Sequence, residues 1–318
     1  SSSLLPSAIP GLHPSDLQSA YALPSASRGT GERIAIVVPF NGPAAENDLA
    51  VYRNKFGLGS CSSASGCLQF VGHDGSKGKK EQNNSPWSAE LSIDLQMVSA
   101  SCPHCGITVV EAQSDGFNDM IVAELTAVSI HPNVVSNSWS IPESSEMSQM
   151  GTGAFVHPGT AVVAGSGDSG AGVSWPAAEP SVIAVGGTFL QRDAYNARGW
   201  DEAGWANAGF GCSAYVARPA WQLLSFCGAN RSIADVAAVA DPRSGVAIYN
   251  STAGGWVVYG GTSVAAPIVA GVIALAGNSS SLVTAQYVYQ HGSALNPVQT
   301  GVSVLQGGLG SPNGIAAF

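Results

Sequence analysis

A run of β-branched residues without polar alternation, Arg33–Phe40 (RIAIVVPF), recurs in kind at Ile107–Glu111, Val134–Ser138, Thr160–Ala164 and Ser181–Val185. A strand with one wet face alternates apolar and polar residues. A strand that does not alternate is buried on both faces, as in parallel sheets whose crossovers supply the covering helices. The segments between these runs, Ala44–Phe56, Trp87–Ser101, Phe117–Ile130 and Glu146–Val156, carry a helical apolar period. The pattern predicts an α/β fold, one domain over residues 1–318, with a mostly parallel central sheet covered by helices on both faces. Cys61–Asn84 and Asp193–Arg218 are rich in Gly, Ser and Asn and read as long surface loops.

Charge narrows the function classes. Only 10% of the 318 residues are charged and the formal net charge is −9, so there is no basic footprint for nucleic acid or an anionic membrane. The longest helix-like apolar run, Val264–Ala276, is too short and too glycine-interrupted to span a bilayer. Twelve Lys and Arg leave few cations to repel one another once carboxylates protonate, which suits a protein that works in acid. The opening SSSLLPSAIPGLHPSDLQSAY has neither a charged n-region nor an apolar h-region and reads as a processed mature form. The six cysteines fall into near neighbours, Cys61 with Cys67, Cys102 with Cys105 and Cys212 with Cys227. Three local disulfides and a secreted, extracellular location are expected. For Cys102-Pro-His-Cys105 the rivals are a metal knuckle, which would need two further ligands from a second cluster, and a redox dithiol, which normally opens a helix rather than closing one. Asn83, Asn230, Asn250 and Asn278 begin glycosylation sequons.

In a parallel sheet, functional groups gather in the loops after the carboxyl ends of the strands. Three stretches meet that condition. VVSNSWS (Val134–Ser140) ends a strand in small polar residues that can offer backbone hydrogen bonds to an extended ligand. AVVAGSGDSGAG (Ala161–Gly172) ends another in a glycine-rich turn around Asp168. GGTSVAAP places Ser263 before a small-residue apolar run, with Pro267 expected in the first helical turn. Ser263 is then either a simple N-cap or a nucleophile at the positive end of a helix dipole.

A nucleophilic serine needs a base. The six histidines, His13, His73, His104, His131, His157 and His291, lie mostly in loops or at helix ends, and the first strand ends in Pro39-Phe40-Asn41 where subtilisins carry an aspartate. A subtilisin-type triad is therefore excluded. Gly167-Asp168-Ser169-Gly170 echoes the chymotrypsin nucleophile motif, but that fold is all-β and needs an upstream Ala-His-Cys. Phe40-Asn41-Gly42-Pro43 offers no phosphate loop, which sets aside a nucleotide-binding enzyme. Carboxylates remain. Glu90 and Asp94 in WSAELSIDLQMVSA are four residues apart and share a helix face. Either that face is solvated, or the two carboxyls share one proton, which removes their repulsion and makes a base that works in acid.

With these residues assembled, the chain resembles the sedolisins, the serine-carboxyl peptidases, whose catalytic domain has a subtilisin-like fold. The resemblance rests on Glu90-x-x-x-Asp94 before Cys-Pro-x-Cys, on SGDSG around Asp168 followed by SWPAAEPSVIAVGGT, on RSIADVAAVADPRSGVAIYN (Arg231–Asn250) and on GGTSVAAP. It covers the chain from about Pro14 onward. It implies that Ser263 attacks the scissile carbonyl, that Glu90 accepts its proton and that Asp94 shares that proton. Asp168, neutral, would donate to the oxyanion together with the Ser263 N–H. Ser138, Trp139 and Ser140 would form one wall of the substrate cleft, pairing with the peptide as an added strand. The implied activity is acid endopeptidase action on peptide or protein substrates by a monomer whose prosegment has been removed.

Two departures matter. Sedolisins usually close with a calcium loop, Asp-Val-Thr-x-Gly and a later aspartate, whereas here ALNPVQTGVSVLQGGLGSPNGIAAF has Pro297 at the first position and no Asp or Glu follows Asp241. Carbonyls alone hold a hard dication weakly, so no metal and no cofactor are expected. The family's Ser-Gly-Thr-Ser is Gly260-Gly261-Thr262-Ser263 here. The rival reading is an inactive sedolisin-like binding module, whose mark would be loss of one of the four catalytic residues; all four are present.

Overall fold

Along the central strands successive apolar side chains go to opposite faces, and both faces are covered. A computed structural model of the chain describes residues 9–77, 85–150, 152–223, 226–301 and 303–318. The strands are β1 (Arg33–Pro39), β2 (Leu68–Gly72), β3 (Gly106–Ala112), β4 (Val134–Asn137), β5 (Ile141–Pro142), β6 (Ala161–Gly165), β7 (Ser174–Trp175), β8 (Ile183–Arg192), β9 (Trp200–Gly204), β10 (Gly211–Ala217), β11 (Asn230–Ile233) and β12 (Val236–Val239), followed by a hairpin of Val246–Asn250 and Gly255–Tyr259. The helices used below are α1 (Pro14–Ala20), α2 (Ala45–Phe56), α3 (Ser85–Ser101), α4 (Phe117–Ser129), α5 (Ser145–Met150) and α6 (Thr262–Ala276).

The central sheet runs β12-β8-β6-β4-β1-β3-β2, and every neighbouring pair in it is parallel. The far half of β8 turns outward to pair with antiparallel β9. On one face Ile34, Ile36 and Val38 of β1 pack with Leu91, Leu95 and Val98 of α3 and with Val264, Ile268 and Val272 of α6. On the other, Ala35 and Val37 pack with Met120, Ala123 and Ala127 of α4. The fold class expected from the strand runs is the one found.

The differences are local. The predicted loop at Cys61–Asn84 contains edge strand β2, whose short LQFVG run is framed by the glycines and serines that disguise it. The predicted loop at Asp193–Arg218 contains β9 and β10, antiparallel strands with mixed burial, whose polar residues hide a strand pattern. The expected helix Glu146–Val156 divides into α5 and a 3-10 turn at Thr152–Phe155 that includes Gly153. All three local disulfides are present, and Cys102 follows the last residue of α3. The chain opening at 1–8, the end of the first predicted loop and the Asn83 sequon lie outside the described residues. Asn250 is buried with its Oδ1 accepting the Thr252 and Ala253 N–H groups, so the folded chain shields that sequon. Among the described residues no helix is long and apolar enough to cross a membrane.

Candidate active site

The chain reaches α6 through Gly260 and Gly261. Gly261 has φ +117°, and a Cβ there would sit 2.9 Å from Asp168 Oδ2, so only glycine lets this turn lie against the aspartate. Ser263 is the second residue of α6 and half-buried. Pro267 is not in the first turn, as the sequence suggested, but at the sixth position. It has no N–H for the Ser263 carbonyl one turn back, and Ser138 Oγ lies 3.4 Å from that carbonyl instead. The proline thus opens the helix backbone at the residue that carries the hydroxyl.

Glu90 and Asp94 lie one turn apart on α3, a helix buried over Leu91–Ala100 against α6 and the sheet. Asp94 is 1% exposed, while Glu90 is half-buried with its Oε1 sealed from solvent. The Ser263 hydroxyl acts on the Glu90 carboxyl, while its hydrogen bond goes to the Ser138 carbonyl at 3.4 Å. Burial pushes the Glu90 carboxyl well above its usual range, and Asp94 and Asp168 add to that, against the opposing effect of the Ser263 hydroxyl. Burial also raises Asp94, offset in part by the Ser138 hydroxyl, which donates to Asp94 Oδ1 at 2.5 Å. Glu90 Oε1 and Asp94 Oδ2 are buried with no hydrogen-bond partner. These are the oxygens a shared proton would join, and the pair holds a proton to higher pH than free carboxyls would.

Asp168 sits exposed on the turn after β6. Its Oδ1 accepts from the Thr262 N–H at 2.7 Å and from Thr262 Oγ1 at 3.0 Å, which leaves Oδ2 toward Gly261. Thr262 Oγ1 also accepts the Gly167 N–H at 3.1 Å, so one side chain ties the Asp168 turn to the start of α6. In the sequence Thr262 carries little signal, only a β-branched hydroxyl wedged between the glycines and Ser263.

The three wall residues go to different places. Ser140 is exposed beside a cavity of about 260 Å³ lined also by Ile141, Ser166, Gly167, Asp168 and Ser174. Ser138 turns inward to Asp94, and its carbonyl lies 3.4 Å from Ser263 Oγ. The Trp139 ring is buried, donating to Asn137 Oδ1 at 2.8 Å and packing 5.7 Å from Trp175. Asn137, also not singled out in the sequence, therefore anchors the wall from beneath.

Nor do the residues where the family's calcium would be expected fit that ion. The Gln306 amide is fully buried, donating to the Trp205 carbonyl at 2.6 Å and accepting the Ser303 N–H. The Asn296 amide donates to the Pro312 carbonyl. Glu202, the carboxylate bonded to this segment, is committed to Tyr21, Thr188, Ser311 and Arg198. A hard dication needs six or more oxygens, carboxylates among them, and here amide hydrogens stand against the carbonyls.

No protein-family model matches the chain. Kumamolisin of Bacillus sp. (strain MN-32) is 30% identical over 293 residues, which is 82% of this chain and 51% of that protein. Sedolisin of Pseudomonas sp. (strain 101) is 40% identical over 123 residues, 35% of this chain and 20% of that protein. The solved structure of Pseudomonas sedolisin (serine-carboxyl proteinase), complexed with two molecules of pseudo-iodotyrostatin, superposes with a TM-score of 0.81 at 23% identity and covers 96% of each chain. The chain is similar to the sedolisins in sequence and has their fold. Its fold is the subtilisin-like one of sedolisin, shared more distantly with Sphericase at a TM-score of 0.60 and 14% identity, over 93% of this chain and 96% of that one. The chain spans about half the length of kumamolisin.

Proposed function

We propose that this chain is a secreted serine-carboxyl endopeptidase of the sedolisin family, one catalytic domain acting as a monomer on peptides and proteins in acid, without a metal or cofactor. One observation supports the reading: the Ser263 hydroxyl acts on a carboxyl, Glu90, that is backed by a second buried carboxyl one turn away. Ser263 Oγ forms a bond to the scissile carbonyl carbon as its proton passes to Glu90, with Asp94 holding the proton that the pair retains. The carbonyl electron pair moves to oxygen, where the Ser263 N–H and a neutral Asp168 donate to it. Collapse breaks the C–N bond, and Glu90 returns the proton to the departing amine. Water repeats the sequence on the acyl-enzyme, restoring Ser263. The exposed edge at Ser140 and the cavity beside Asp168 would take the substrate chain and the side chain next to the scissile bond.

The test is turnover of a peptide library between about pH 3 and about pH 8 by the purified chain and its Glu90→Gln variant. The pair must hold one proton and lack the other, so wild-type turnover should peak below neutrality, with an acid limb and an alkaline limb. Glu90→Gln should be nearly inactive at every pH. A wild-type peak above neutrality, or full activity in Glu90→Gln, sinks the carboxylate mechanism.

A further inference from the structure

Glu124 on α4 is 0% exposed, lies on the face of the sheet opposite the carboxylate pair and takes no part in the mechanism above. Neither of its oxygens has a hydrogen-bond partner; the polar side chain acting on it is Asn137, whose Nδ2 is equally without a partner. Asn137 has no freedom in which way its amide turns. The Trp139 indole N–H is a donor only, so the atom it meets at 2.8 Å must be Asn137 Oδ1, and Nδ2 must point away. On that side the Glu124 carboxyl is the group the Asn137 side chain acts on. Residues 137 and 139 lie on the α4 side, and alternation sends Ser138 between them to the other side, onto Asp94 Oδ1 and within 3.4 Å of the Ser263 carbonyl.

We propose that Glu124 is a positioning residue for the active-site wall: by holding the Asn137 amide against the Trp139 indole, it fixes the direction in which Ser138 meets Asp94 and Ser263. The inference rests on the peptidase reading for its kinetic consequence, while the coupling of Glu124 to Trp139 stands apart from it. Burial pushes the Glu124 carboxyl up to about 8, against the opposing Asn137 amide, so it is a neutral acid wherever the proposed enzyme works. Among the described residues no cation acts on it. On the elements packed on α4, Arg33 is at the start of β1 and bonded to Ile107, Thr108 and Gly66, and His157 is bonded to the Ala154 carbonyl. Glu111 alternates with Val110 and Ala112 and so faces the α3 side, and Asp119 on α4 itself accepts from Ser114 Oγ.

The experiment uses the full chain with Glu124→Gln and the double variant Glu124→Met/Asn137→Leu. The double variant removes both ends of the amide link and keeps the core filled, and leaves the Trp139 indole N–H without its acceptor. It should fold with a melting temperature lowered by that one stranded donor, and lose about tenfold in kcat with KM changed less than about threefold, the scale of one misplaced hydrogen bond. Glu124→Gln still accepts from Asn137 and should restore kcat. Trp139 reports independently of turnover: the fluorescence difference between the chain and Trp139→Phe, which isolates one of seven tryptophans, should titrate near the Glu124 pKa of about 8. That transition should vanish in Glu124→Gln and persist in Glu90→Gln. Wild-type kcat in a folded double variant, or a Trp139 transition unchanged in Glu124→Gln, overturns the proposal. If the double variant does not fold, the Glu124→Gln titration decides alone. If the wild type cleaves no peptide, the peptidase reading falls and the fluorescence arm still decides the coupling.

Discussion

Each side chain at the Ser263 site has a separable expected effect. Ser263→Ala removes a hydroxyl from a half-buried position without disturbing α6, so it should abolish turnover and leave the melting temperature unchanged. Asp168 is exposed and bonded to the Thr262 N–H and hydroxyl, so replacing it alters a turn as well as a donor. Asn at 168 keeps a neutral donor of similar size whose oxygen can still accept from Thr262. Asp168→Asn should therefore retain more activity than Asp168→Ala, which should lose about 3 kcal/mol of transition-state stabilisation, roughly a hundredfold in kcat. Equal activity in the two variants would remove Asp168 from the oxyanion role. Much of this residue set was legible in the sequence because its chemistry is tied to type and spacing: two carboxyls four apart, an aspartate in a glycine turn, a serine before a helix. Ser138 was legible only as a position on a wall. That its hydroxyl turns inward to Asp94 depends on the side a strand residue takes beyond the end of β4, and this follows from how Asn137 and Trp139 are held from below.

Among the elements, the parallel strands declared themselves through unbroken β-branched runs, and α3 and α6 through their apolar periods. What stayed hidden were elements whose burial comes from neighbours rather than from their own pattern. β12 has only four residues and reads as part of a longer apolar stretch, yet it closes one edge of the parallel order beside β8. Pro267 misled on the helix start, because a proline inside a helix is tolerated when the carbonyl it orphans has company, here Ser138 Oγ. The turn before α6 makes its own prediction. Gly261→Ala would force φ +117° on a residue with a Cβ 2.9 Å from Asp168 Oδ2, which should cost about 1–3 kcal/mol of stability and displace Asp168, lowering kcat as well. A variant with wild-type melting and turnover would mean the turn relaxes freely. In the C-terminal segment, the Gln306 amide binds carbonyl and N–H groups where a calcium loop would gather oxygens, so chelator should leave both melting temperature and activity unchanged. Gln306→Leu should lower stability by about 1–3 kcal/mol through the partners it strands. A clear drop in melting temperature on chelation would show that the segment gathers metal by other ligands.

For the molecule as a whole, the buried carboxyls set the direction in which stability depends on pH. Glu90 and Asp94 are raised by burial, Glu124 is raised to about 8, and Glu179 is raised by burial against the Trp175 indole bond. A carboxyl whose pKa is higher folded than unfolded binds more protons in the folded state between those two values. Its contribution is therefore complete below the unfolded value, about 4, and drains away as pH rises through the folded value, at ~1.4 kcal/mol per unit of difference. Most soluble proteins are steadiest between about pH 5 and about pH 8 because their carboxyls shift the other way. This chain should instead be most stable near about pH 4 and lose stability continuously toward about pH 8, the top of the Glu124 window. Sparse charge works in the same direction, because only 12 Lys and Arg are left to repel one another when the surface carboxylates protonate. Urea midpoints across that range would decide the matter. A midpoint that rises toward neutrality would mean the buried acids relax or hydrate in the folded state. If the fall is real, Glu124→Gln should make it shallower across the whole interval from about pH 4 to about pH 8, because that one carboxyl holds an extra proton in the folded state throughout it, and leave the rest of the slope to the other buried acids. Acid stability and the proposed acid activity would then share a cause, since the burial that keeps a proton on the catalytic pair is the same burial that makes the fold shed free energy when that proton leaves.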